Sequence, residues 1–289
     1  MRAFAYERPT HLDDAFSLLG EHGPEARLLA GGTDLIIRLR DGSIRPRMVV
    51  DLKWIAELDG TIRDGDGHLK IGARTVMTDI AADERIRRDF EALAEAASVV
   101  GAVQIRNRAT LAGNICNASP AADTAPALLV YGASVIAAGP GGPRRIPIDE
   151  FFVSSGVTTL ARDEIVTAIE LPLPTTRRRA VHVRRTRRRG HDLASVTLAC
   201  AVFADGLTRL AYGSLGPRPV VVADETGLLA DPAVPDLAKM ERLEGLFAAA
   251  SPSARSMRAS PAYRLAMLHL LGLRAVATAV ERLAERTDR

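Results

Sequence analysis

The sequence is short of aromatic residues, cysteine and lysine, and each shortage removes a class of protein. Aromatics make up only 4% of the 289 residues. None interleaves with the arginine run Arg177-Arg178-Arg179, Arg184-Arg185 and Arg187-Arg188-Arg189, so that run lacks the stacking platforms of a nucleic-acid surface. The formal net charge of +3 is equally unlike a nucleic-acid binder, and a basic face toward a cofactor phosphate or a partner subunit is the better reading. Two cysteines, Cys116 and Cys200, cannot make a disulfide framework, a four-thiolate zinc site or an iron–sulfur cluster held by this chain alone. All but three of the basic residues (Lys53, Lys70, Lys239) are arginine. Residues 1–20 show no basic start followed by an apolar core, and no apolar run approaches the length of a membrane span. A cytoplasmic protein without signal peptide or membrane span is therefore expected. What is present is ordinary for a globular chain, 47% apolar and 25% charged, and long enough for two or three compact units.

The chain is organised around residues 26–52. Ala26–Ala30 reads as a buried strand, Thr33 as the N-cap of a helix using Leu35, Ile36 and Leu39, Gly42 as its stop, and Met48–Leu52 as a returning strand. Gly31 and Gly32 can adopt positive φ and lack a Cβ. Successive amides of Gly31, Gly32, Thr33 and Asp34 can then turn toward one anion at the positive end of the helix, and a pyrophosphate is the natural occupant. The alternative is an ordinary tight strand-to-helix turn.

Upstream, Leu12, Ala15, Phe16 and Leu19 share one helical face after a capping arrangement of Thr10 with Asp13, completing a β-α-β-α-β unit of residues 1–56. Short strands with turn signals begin near Leu58. Thr78 is expected to cap a helix, and a longer helix spans Phe90 to Val100. The stretch Gln104 to Asp123 is polar, rich in Asn, Thr and Ser, and flanked by apolar segments, which marks a loop that contacts something; turn and cap chemistry is the plain alternative for Asn114, Asn117 and Asp123. Asp123 should cap a helix ending at Tyr131, before strands at Ser134–Ala138 and Ile165–Leu171. The proline pair Pro172 and Pro174 places a domain boundary near 173–180, giving domains 1–175 (with subdomains 1–56 and 57–175) and 176–289. Beyond it, two alternating strands around Asp205-Gly206 precede helices over 220–250 and 261–285, a smaller α+β domain.

Together, Ala30-Gly31-Gly32-Thr33-Asp34-Leu35, Thr110-Leu111-Ala112-Gly113-Asn114 and Ala118-Ser119-Pro120-Ala121-Ala122-Asp123 resemble the FAD-binding medium subunit of the molybdenum hydroxylases, a family that includes bacterial carbon monoxide dehydrogenase and xanthine dehydrogenase. Further matches are Asp163 to Pro172, Asp192-Leu193-Ala194-Ser195-Val196 and Arg258-Ala259-Ser260-Pro261-Ala262-Tyr263-Arg264. The resemblance implies an α+β chain: a two-subdomain FAD-binding domain of the vanillyl-alcohol oxidase-like (PCMH) type, then a smaller domain with a three-stranded sheet and helices. It implies that Gly31 to Asp34, flanked by Leu29, Ala30 and Leu35, hold the FAD pyrophosphate. Thr110, Ala112, Gly113, Asn114 and Asn117 would bind phosphate and ribityl oxygens. Asp123 matches a carboxylate at the cofactor, Val166 lines it, and Arg184 stands where relatives carry a lysine able to stabilise reduced, anionic flavin. Cys116, in the flavin loop, reads as a buried small hydrophobe.

The implied work is electron transfer. A large subunit with the molybdenum cofactor oxidises substrate, a small subunit with iron–sulfur (2Fe-2S) clusters carries electrons, and this chain's non-covalent FAD passes them to an external acceptor. The family assembly is a dimer of heterotrimers. One departure stands out: Ala112 occupies a position usually held by glycine, which would cost about 1 kcal/mol of strain if φ there is positive. Two other readings compete: a self-sufficient flavin oxidoreductase of similar fold, and a non-catalytic scaffold whose site has decayed.

Overall fold

The computed structural model describes residues 2–188, 190 and 192–285. Arg189 of the arginine run lies outside them.

The first unit is a parallel three-stranded sheet, with Met48–Asp51 in the centre between Ala5–Glu7 and Ala26–Leu29. Parallel neighbours require crossovers, supplied by the helices Leu12–His22 and Leu35–Arg40. Ala15, Phe16 and Leu19 are buried, as their spacing predicts. The caps differ from expectation. His11 and Asp34 occupy the N-cap positions of these helices, and neither side chain caps; Thr33 lies one residue further out. No side chain thus closes the start of the second helix, where Ile36 N donates instead to the Gly32 carbonyl at 3.0 Å.

A five-stranded antiparallel sheet follows, in the order Ile62–Asp64, His68–Gly72, Ile165–Pro172, Ser134–Gly139, Gly142–Pro147. Short helices cover it. Met77–Ala82 starts after Val76, so Thr78 sits inside it and does not cap. Glu91–Ser98 buries Ala92, Leu93, Ala96 and Ala97, and Thr124–Val130 is buried along its whole length. One apolar core runs from Ala15 through these helices to Leu171 and on to Ala180, Ala199, Ala201 and Ala211 of the next sheet.

That next sheet corrects the expectation of three strands. It is a four-stranded antiparallel meander, Arg178–Arg185, Val196–Phe203, Thr208–Gly213 and Val220–Asp224. The helix expected over 220–250 shortens to Asp236–Leu246. Val220-Val221-Val222 is a β-branched run whose stiff side chains favour a strand. Asp224, which ends that strand, is fully buried and accepts from Thr226 Oγ1 at 2.6 Å and Arg242 Nε at 2.8 Å. Burial opposes its ionisation, yet these donors together hold its carboxyl below the usual carboxylate range. Its contribution is therefore complete above the ordinary carboxylate pKa and disappears as pH falls through the lowered one. Asp224→Asn should cost about 3 kcal/mol at pH 7, and the gap to the parent should narrow in acid urea titrations; a gap independent of pH would refute this role.

The strand Arg178–Arg185 is a sheet edge, and the unit before it covers that edge. Glu91 and Glu95, four residues apart on one helix face, accept from the amides of Ala180 at 2.9 Å and His182 at 2.8 Å. Arg178 lies over the rings of Tyr131 and Phe90, with its guanidinium 4.7 and 5.1 Å from their centroids. The last helix, Pro261–Ala284, is long and apolar enough to cross a membrane by length and composition alone, a test that a core helix also passes, and it does not overturn the expectation of a chain without a membrane span. Here it packs on the opposite face of the four-stranded sheet through Leu268, Ala275, Val276 and Ala279. Gly272 admits Phe247, whose Cε2 would stand 2.8 Å from an added Cβ.

Candidate functional site

A cleft of about 460 Å3 opens where the parallel unit meets the antiparallel one, and residues of both line it. Its first wall is the turn after strand Ala26–Leu29. The amides of Gly31, Gly32, Thr33 and Asp34 donate to no protein acceptor among the described residues, and the helix Leu35–Arg40 begins directly behind them. Gly32 has φ +79°, which favours glycine. Gly31 is required for a different reason: an added Cβ would lie 2.0 Å from the carbonyl oxygen of Arg108. The turn is thus pressed against the backbone of the second wall. Burial in the cleft wall pushes the Asp34 carboxyl above the usual range, partly offset by Arg38.

The second wall is more helical than the expected loop. Val103–Arg106 and Leu111–Cys116 are short helices, and a bridge between Val76 and Thr110 anchors the segment between them. Thr110 caps the second of them, its Oγ1 accepting from Gly113 N at 3.0 Å, so the Gly113 amide is already engaged. Ala112 lies within this helix and is absent from the positive-φ residues, so the expected strain does not arise there; the residue in that region with positive φ is Ala118, at 44°. Ala112→Gly should accordingly lower stability by about 1 kcal/mol in chemical denaturation without tightening FAD binding, since it only adds helix entropy cost. Tighter binding would mean that alanine strains this position after all.

Asn114 Oδ1 accepts from Thr124 Oγ1 at 2.6 Å, and Asn117 Nδ2 reaches Asp34 Oδ1 at 3.4 Å, joining the two walls. Cys116, expected to be buried, is exposed at the cleft. The surrounding concave wall still desolvates its thiol, pushing it up to about 12, so it stays protonated at neutral pH.

The inner end holds charge. Asp123 stands at the start of helix Thr124–Val130, but its side chain does not cap. Instead Oδ2 pairs with Arg184 Nη1 at 2.6 Å, and Arg184 also donates to the carbonyls of Val99 and Asp192 at 3.1 and 2.9 Å. Asp123 is 8% exposed, and its Oδ1 is buried without a hydrogen-bond partner among the described residues. His182 Nε2 is 3.5 Å from that oxygen and 3.0 Å from Thr197 Oγ1. Sequence reading missed His182, although strand alternation from Arg184 would have placed both on one face. It also missed Arg38, Arg74, Ile105 and Leu193 of the cleft lining, which come from scattered elements.

Of the expected site residues, Ala30, Gly31, Gly32, Thr33, Asp34, Leu35, Thr110, Ala112, Gly113, Asn114, Asn117, Asp123, Val166 and Arg184 all line this one cleft. Leu29 does not. It packs beneath the turn, its Cδ1 2.9 Å from where a Gly32 Cβ would stand.

Comparison with known proteins agrees with this architecture. Residues 2–174 match the family model described as the FAD binding domain in molybdopterin dehydrogenase. The chain is 34% identical over 284 residues to the xanthine dehydrogenase FAD-binding subunit of Escherichia coli O157:H7, covering 96% of each. Among solved structures, it superposes on a chain of carbon monoxide dehydrogenase from Hydrogenophaga pseudoflava, in a form lacking the Mo-pyranopterin moiety of its cofactor. That match has a TM-score of 0.89 at 27% identity and covers 97% of this chain and 98% of that one. The reconstituted carbon monoxide dehydrogenase of Oligotropha carboxidovorans gives a TM-score of 0.89 at 26% identity, with 97% and 99% covered. With more than half its length in the family model and a relative of this identity along nearly its whole length, the chain belongs to the FAD-binding family of molybdopterin dehydrogenase subunits.

Proposed function

We propose that the chain holds FAD non-covalently in this cleft and works as the electron-transfer subunit of a molybdenum hydroxylase complex. The observation that carries the reading is the pairing, in one cleft, of open amides at Gly31 to Asp34 with a buried Asp123 Oδ1 that has no hydrogen-bond partner among the described residues. FAD is anionic at its pyrophosphate and carries N–H and O–H donors elsewhere, so one molecule answers both needs. Bound FAD supplies the redox chemistry, accepting electrons singly and discharging them as a pair. The chain's own residues bind and tune. The Gly31 to Asp34 amides and the helix behind them neutralise phosphate charge, Val166 and Ala112 exclude water, and Arg184 fixes the Asp123 carboxylate. No histidine lines the cleft among the described residues and the Cys116 thiol is protonated, which favours non-covalent attachment.

In this reading residues 1–175 form the FAD domain, in subdomains 1–56 and 57–175, and residues 176–289 form the second domain. Electrons arrive from iron–sulfur clusters of a small subunit, fed by a large subunit with the molybdenum cofactor. The complex is a cytoplasmic dimer of heterotrimers. The test is the visible spectrum of the purified chain, then acid precipitation and identification of the released cofactor. Intact FAD in the supernatant supports the reading. A colourless protein that takes up no FAD, alone or with its co-expressed large and small subunits, sinks it and returns the scaffold alternative.

A further inference from the structure

Two residues other than glycine have positive φ among the described residues, Ala118 at 44° and Ser214 at 69°, and both hold the same stretch of chain. Such a backbone is costly for a residue with a Cβ and persists where surrounding contacts fix it. Ala118 opens the stretch, and its carbonyl accepts from Gly156 N at 3.0 Å. Ser214, just past the strand Thr208–Gly213, donates its amide to the Pro120 carbonyl at 2.6 Å. The approach is close enough that a Cβ on Gly213 would stand 2.7 Å from that same oxygen. Ser119 and Ala121, on either side of Pro120, line the cleft, whereas Ser214 does not.

The Ser214 side chain makes a second tether. Its hydroxyl donates to the Ala194 carbonyl at 2.9 Å, which accepts from no other donor among the described residues, and both residues are buried. The Asp192 carbonyl, two residues earlier, is held by Arg184 at 2.9 Å. Between the two tethers Leu193 lines the cleft and is 57% exposed. Arg184 also pairs with Asp123, so the stretches 118–123 and 192–194 meet at one charged pair and are both gripped from behind by one serine.

We propose that Ser214 is a positioning residue of the FAD site: through the Pro120 and Ala194 carbonyls it fixes two stretches of the cleft wall, Leu193 among them, before the cofactor enters. The inference rests on the FAD reading given above. A wall already fixed loses little freedom when a ligand binds, so the tethers appear as affinity.

The test uses Ser214→Gly and Ser214→Ala in the full chain or, if only that form takes up flavin, in the co-expressed complex. Both variants lose the hydroxyl, but glycine adopts the left-handed backbone without strain and alanine does not. FAD dissociation constants from flavin fluorescence titration should rise about ten-fold in both, the worth of one buried hydrogen bond. Melting temperatures of the flavin-free proteins should separate them, with glycine the higher. Affinity that instead follows melting temperature, alanine worse than glycine, would reduce Ser214 to a structural turn and overturn the assignment. Parental affinity in Ser214→Gly overturns it too, as does a Ser214→Gly chain that does not fold. Leu193→Ala supplies an independent check: combined with Ser214→Gly, it should add less than its single effect, and strictly additive losses mean that Ser214 does not act through Leu193. A parent that takes up no FAD in either form fails the FAD reading itself; a parent that binds, with variants that bind equally well, fails this assignment alone.

Discussion

Gly31→Ala should abolish FAD retention and destabilise the chain by about 3 kcal/mol, the upper range for forced overpacking. The added methyl would sit 2.0 Å from the Arg108 carbonyl oxygen and 2.8 Å from its carbon, both backbone atoms that cannot rotate aside. Relief requires the two walls of the cleft to separate. Separation stretches the contact between Asn117 and Asp34 and moves the open amides away from their anion. Gly20→Ala is the control, since an added methyl there, inside helix Leu12–His22, meets nothing within 4 Å. Thermal unfolding and the flavin-to-protein absorbance ratio read both effects. A Gly31→Ala protein with parental flavin content and melting temperature would show that the walls are not clasped as described.

The second large effect concerns the charge at the inner end of the cleft. Arg184, expected to supply a cation that stabilises reduced, anionic flavin, is paired with the Asp123 carboxylate at 2.6 Å. Arg184→Met should cost about 3 kcal/mol or more in stability, since it leaves a buried carboxylate without its partner. In the FAD-loaded protein it should also make the midpoint potential more negative, as the remaining anion opposes electron uptake. Asp123→Asn should move it the other way, because Arg184 is then unbalanced. A shift on the order of 30 mV, equal to about 1.4 kcal/mol for two electrons, is expected in each direction. Spectroscopic redox titration checks it. Shifts of the same sign in both variants, or none, would place the pair outside the flavin's electrostatic reach.

Much of this protein follows from local sequence. The parallel β-α-β-α-β opening, the turn at Gly31 and Gly32, the helix after Asp123 and the strand Arg178–Arg185 are all written in short-range patterns of apolar spacing and glycine placement. The candidate cleft was legible for the same reason: two polar, glycine-bearing segments between apolar flanks stand out without knowing where they meet.

Tertiary contact decided the rest. Whether Asp123 caps its helix or pairs with Arg184 depends on a strand 61 residues away, and the sequence favours the nearer use. The role of Gly31 is set by the carbonyl of Arg108, which no local rule identifies. Ala112 was expected to be strained because relatives commonly carry glycine there; pairing of Val76 with Thr110 and capping by Thr110 made the segment a helix in which alanine is at ease. His182 joined the site only because Thr197 and Asp123 converge on it. Local sequence sets propensity, worth tenths of a kcal/mol per residue, whereas burying a charge or clashing with backbone costs several, so tertiary contact prevailed wherever the two disagreed.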